Sequence, residues 1–294
     1  MARFLLVMRP RLLAILLLGA SFATTGARAQ DEGDVVGEDL SEGSAAHMRE
    51  ELGVNDTTAP AIQKLLGDLD SFQPIPMKLV ESDDLNATFP NRFQTALHFG
   101  IVVADGFVIV INQRPQSIQN IGRSLLNQAR ALGVGDTLTR RAASLIDLGQ
   151  KGDWAKLREE LIKTQSDVEG AMMNLHDEEM AHLISFGGWL RGFQLALNAT
   201  ADNYTPQRAA GLKRLDVMSY FIDRLDTLNP RLKRTPLVTL LLSKLKTIYA
   251  ISSNAGERPP SESEVKEMRT LADEMIAAAL SKTDDKDKLL DVVE

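Results

Sequence analysis

The segment His176-Asp177-Glu178-Glu179-Met180-Ala181-His182 places two of the chain's four histidines and three carboxylates within seven residues. Imidazoles and carboxylates are ligands for divalent metals. On a helix, residues three apart lie about 60° apart in azimuth, which sets Glu179 between His176 and His182. Glu179-x-x-His182 is also half of a carboxylate-bridged di-metal motif, which needs a second Glu-x-x-His and two further glutamates. No second copy occurs, and the other imidazoles are His47 and His98. The plainer reading makes Asp177 to Glu179 the acidic first turn of a helix, complementing its dipole.

Asp105 interrupts the apolar run Phe99–Ile111. A carboxylate on a helix that is apolar nearly all round will be buried, and burial is costly without a partner. Gly100 and Gly106 thin that helix, and Phe186-Gly187-Gly188-Trp189-Leu190-Arg191-Gly192 offers a second thinned surface carrying an arginine. Asp105 and Arg191 are therefore expected to pair where two helices cross, either as a core ion pair or as the floor of a ligand pocket. A third feature is electrostatic. Nine bases, among them Arg208, Lys213, Arg214, Arg231, Lys233 and Arg234, fall between Thr205 and Lys246 against three acids. Such a stretch can dock an anionic partner or neutralise the protein's own acidic segments.

The elements that position these residues read as helices. Pro90 suits the first turn of a helix running to about Asn112. The β-branched stretch Ile101–Ile111 could form a strand, but its flanks are helical and a buried helix is expected. Ile118, Ile121, Leu125 and Leu132 mark a second helix, closed by Gly133, and Asp136 or Thr137 should cap a third. Asp153 caps a long helix on which Trp154, Leu161, Val168 and Leu175 recur every seven residues, with Leu157, Thr164 and Ala171 between them. Over roughly Asp177–Thr200, Leu183, Phe186, Leu190, Phe193 and Leu197 form an amphipathic stripe. Thr205-Pro206 opens a helix to about Leu228, Thr235-Pro236 another, and Ser261 with Glu264 forms a capping box before the last.

The first 29 residues carry Arg3, Arg9, Arg11 and Arg28, the apolar run Leu12–Ala20, and Ala27-Arg28-Ala29, the pattern of a secretory signal peptide. Without its four arginines the chain keeps 29 of its 33 bases and all 40 acids, a net charge of −11. A chain this acidic is a poor binder of nucleic acid. With zero cysteines, thiol catalysis, iron–sulfur clusters and thiolate metal sites are excluded. Gly-x-Ser-x-Gly, Walker, Gly-x-Gly-x-x-Gly and His-Glu-x-x-His motifs do not occur. Asn55, Asn86, Asn198 and Asn203 open N-x-[ST] patterns, which matter only in a eukaryotic secretory route.

The expected organisation is a leader over 1–29, a flexible acidic arm over 30–57, a helical domain over 58–281 and a charged tail over 282–294. The fold class is all-α, a bundle of about seven to nine helices. The expected role is non-enzymatic, as an exported soluble protein that binds or scaffolds a protein or envelope component in a periplasm or outside the cell. No cofactor and no transmembrane span in the mature form are expected. The competing reading is a metal-binding or redox bundle using His176, Glu179 and His182, with His98 a further candidate ligand.

Overall fold

The structure, a computed structural model, describes residues 69–75, 77–80, 85 and 87–281. The leader, the acidic arm and the tail lie outside the described residues, as does most of 61–69, where Pro60 in a first turn predicts a short helix. Within them there is no strand, and the all-α bundle is the architecture. Two single-turn 3-10 helices, Leu69–Phe72 and Met77–Leu79, precede the long elements.

Helix α1 (Arg92–Ile111) starts because Asn91 caps it, its side chain accepting from Gln94 N at 2.7 Å. Pro90 therefore sits one residue outside the cap rather than in the first turn. Every residue from Phe93 to Val110 is buried, including the β-branched run. By length and composition α1 could cross a membrane, with a mean hydropathy of 1.8, yet 94% of that window is covered by the rest of the protein. The apolar run proposed from sequence began at Phe99; Phe93, Ala96 and Leu97 extend it toward the N-terminus.

Helices α2 (Pro115–Leu132), α3 (Gly135–Lys151) and α4 (Trp154–Asn174) follow as antiparallel neighbours joined by short turns. Gly133 and Gly152 close α2 and α3 in the left-handed region, at φ 88° and 69°, where a Cβ would be strained. The N-cap of α3 is Val134, with no side-chain cap, and Asp136 falls in the first turn instead. On α4 the buried positions are Leu157, Leu161, Thr164, Gln165, Val168 and Met172. The expected seam ends early: α4 stops at Asn174, and Leu175, 57% exposed, lies past it.

Helix α5 (Glu178–Asp202) is buried without a break from Leu183 to Leu197, so its leucine–phenylalanine stripe is one side of a helix enclosed all round. It packs against α1, α4 and α10. The helix expected from Thr205 to Leu228 is two: α6 (Pro206–Gly211), capped by Thr205, and α7 (Leu215–Asp226). Gly211 ends α6 against the ring of Phe72, and Lys213 and Arg214 form the turn between them. The one-turn α8 (Pro230–Lys233) leads to α9 (Pro236–Asn254), capped by Thr235 Oγ1 accepting from Val238 N. The last helix, α10 (Glu262–Leu280), opens on the reciprocal Ser261–Glu264 capping box. Hydrogen bonds from Arg258 and from Ser261 hold the Glu264 carboxyl down at about 2.

α1 and α5 form the centre, with α2, α4 and α10 around α1, and α3 outside α2 and α4. α9 lies on α10 and α7 on α9. Trp189 of α5 stacks on Phe193 with centroids 5.2 Å apart and meets Phe221 of α7 at the same distance. Gln94, near the start of α1, holds the close of α10 beside it, donating to the carbonyls of Ala279 and Ser281.

Candidate functional site

The crossing of α1 and α5 is built by glycine. A Cβ on Gly100 would lie 2.0 Å from the Ile184 carbonyl oxygen, and one on Gly187 would lie 2.1 Å from that of Leu97. The two backbones touch there, and the side chains one to two turns away are drawn together with them. Asp105 on α1 and Arg191 on α5 are among these: Arg191 Nε donates to Asp105 Oδ1 at 2.6 Å. Asp105 is 3% and Arg191 5% exposed.

The guanidinium is engaged on every side. Nη1 donates to Gln194 Oε1 at 2.6 Å, and Nη2 donates to the Leu79 carbonyl. Gln194 passes the network to α10 by donating from Nε2 to Asp273 Oδ1 at 2.7 Å. Asn198 joins it, donating to the same Asp273 oxygen at 3.1 Å. One polar chain therefore ties the 77–79 turn to α1, α5 and α10. A buried cation with each nitrogen donating to an oxygen is stable in a low-dielectric interior, where an unmet one is not.

His176, Glu179 and His182 do not converge. His176 lies before α5, in the left-handed region at φ 54°, so helical azimuth does not apply to it. Both Glu179 carboxylate oxygens are taken by Asn229, Oε1 by its backbone N and Oε2 by its side-chain nitrogen, each at 2.6 Å. His182 faces α7 instead, its Nδ1 3.4 Å from Tyr220 Oη. Burial, then the nearby Arg224 cation, pushes the His182 imidazole down to about 4. Among the described residues no group of three histidine or acidic side chains is placed to hold a metal ion. His98 is buried on α1, edge-on to Phe89 with centroids 5.2 Å apart. The acidic start of α5 does other work: Asp177 pairs with Arg92 at 2.7 Å, fixing the start of α1 to the α4–α5 turn.

The basic stretch is largely spent on the protein itself. Arg208 donates to the carbonyls of Ala199, Asn203 and Gln73. Lys213 donates to the Gly256 carbonyl, Arg214 binds Asp216 through two nitrogens, and Lys233 pairs with Asp226 at 3.1 Å. Arg231 and Arg234 are exposed, on and just after α8, where Asp226, Asn229 and Thr239 border an open depression.

Gln194, Asn198 and Asp273 extend the central network, and sequence reasoning did not single them out. Gln194 and Asn198 follow Arg191 on α5 at helical spacing, so a polar side running 191–194–198 on a buried helix was the available signal. No family model, no curated protein and no solved structure matches this chain.

Proposed function

We propose that the chain acts as an exported, soluble helical bundle with a non-enzymatic binding or scaffolding role in a periplasm or outside the cell. The observation that carries this reading is the full engagement of Arg191 with Asp105, Gln194 and the Leu79 carbonyl. A buried guanidinium with a hydrogen bond from each of its three nitrogens braces helices and is shut away from a substrate. The leader pattern over 1–29 supports export. Recognition then falls to the surface, where Arg231 and Arg234 suit an anionic protein or envelope component.

Expression of the full chain with mapping of its N-terminus, and co-sedimentation of the product with an isolated envelope fraction, tests this. The expected product begins at Gln30 outside the cytoplasm, is retained at low salt and is released as salt rises. Arg231→Glu with Arg234→Glu should weaken retention by about threefold or more, as expected for exposed charge contacts. An uncut chain in the cytoplasm overturns export, and retention indifferent to salt and to both substitutions overturns the anionic surface.

A further inference from the structure

We propose that the cleft between α3 and α4 binds a small zwitterion of the free amino-acid class, with a carboxylate and a primary ammonium on one short skeleton. Its volume is about 330 Å³. Small-molecule sites occupy roughly 300–1,000 Å³, so the cleft suits a ligand at the small end. Thr137, Arg140, Arg141 and Ser144 of α3 line it, with Glu160 and Asp167 of α4. Among these described residues none is apolar, and two cations face two anions.

Helical spacing builds this wall. Positions 137, 140, 141 and 144 share one face of α3, and 160 and 167 share one face of α4. The short link at Gly152 and Asp153 folds α4 back along α3, so the two faces meet. Arg141 bridges them: Nε donates to Asp167 Oδ2 at 2.7 Å, and Nη1 to the two Glu160 oxygens at 3.1 and 3.2 Å. Arg141 Nη2, Asp167 Oδ1, the Arg140 guanidinium and the hydroxyls of Thr137 and Ser144 make no hydrogen bond among the described residues. None of these unbonded atoms is buried. The Arg141 and Asp167 side chains are 29% and 38% exposed, so an occupant of the cleft reaches both.

Charge selects the occupant. A plain anion drawn to Arg140 also meets the Asp167 carboxylate, and a plain cation drawn to Asp167 meets two guanidinium groups, so each keeps a like-charge contact. A zwitterion avoids both. Its carboxylate takes Arg140 and Arg141 Nη2, and its ammonium takes Asp167 Oδ1, while the Arg141 bridge stays as it stands. A quaternary ammonium has no N–H for Asp167 and loses that bond. The wall has no apolar side chain to cover a large hydrocarbon group. Thr137 and Ser144 can each donate and accept, which suits a small polar side chain. This inference goes beyond the binding role above and depends neither on export nor on Arg231 and Arg234.

Titration of the ¹⁵N-labelled full chain with L-serine at neutral pH tests it, followed at the backbone amides of 137, 140, 141 and 144. Two further probes are 3-hydroxypropionate, which is serine without its ammonium, and ethanolamine, which is serine without its carboxylate. L-Serine should give saturable shifts, and each fragment should bind about tenfold or more weakly, the difference one charge-assisted contact makes. Arg140→Met removes an exposed side chain and leaves the Arg141 bridge intact, so the fold should stand and serine should bind no better than ethanolamine. Binding of 3-hydroxypropionate as tight as that of serine would make the cleft an anion site, and equal binding of ethanolamine a cation site; either overturns the proposal. Serine shifts that never saturate, or a serine affinity unchanged in Arg140→Met, overturn it as well.

Discussion

His182 is wedged between α5 and α7, beside Tyr220 and Arg224, and its titration has a consequence for stability. Its imidazole sits at about 4 in the folded chain against an ordinary 6.5, chiefly because burial disfavours the charged ring. Between those values the unfolded chain takes up a proton that the folded chain refuses. Stability is therefore complete above about pH 6.5 and falls as pH drops toward 4, by an amount on the order of 2–3 kcal/mol. Urea unfolding at pH 7 and pH 4.5 checks this: His182→Gln should remove a large part of the acid loss, and an unchanged acid loss would contradict the assignment. At this scale legibility was uneven. Asp105 and Arg191 stood out because each is a charge on an apolar, glycine-thinned helix, which leaves few places for a counter-charge. The partner of Glu179 did not stand out, since Asn229 lies fifty residues on and only the fold brings it near.

Among the elements, the crossing of α1 and α5 decides the geometry of the rest. A Cβ at Gly100 or Gly187 would meet carbonyl oxygen at 2.0 or 2.1 Å, and backbone cannot swing aside as a side-chain end can. Gly100→Ala or Gly187→Ala must push the helices apart, with a cost of about 3 kcal/mol or more from lost packing and displaced neighbours. Gly170, around which a Cβ meets nothing within 4 Å, is the control: Gly170→Ala should be neutral or stabilising. Thermal unfolding of the three variants reads the difference, and equal midpoints would contradict the close crossing. Helix starts were legible at the side-chain caps Asp153, Thr205, Thr235 and Ser261, though the Asn91 cap of α1 was passed over for Pro90. They were misplaced where no side chain does so, as at Val134, and where Lys213 and Arg214 form a break that carries no proline. The stripe on α5 was found but its enclosure was not, because periodicity shows which side is apolar and not how many neighbours a helix will acquire.

At the scale of the whole molecule, α1 supplies an apolar cylinder that α2, α4, α5 and α10 cover, and one polar chain crosses that interior from the 77–79 turn to Asp273 on α10. That polar chain is a brace that holds the interior of the bundle together. A double-mutant cycle on Asp105 and Arg191, using Asp105→Ala, Arg191→Met and the pair together, is the most direct measurement. Each single change strands a buried charge and should cost about 3–5 kcal/mol in urea unfolding, while the double variant should cost clearly less than the sum, with a coupling of about 2 kcal/mol or more. Additive losses, or single variants as stable as the parent, would contradict the account.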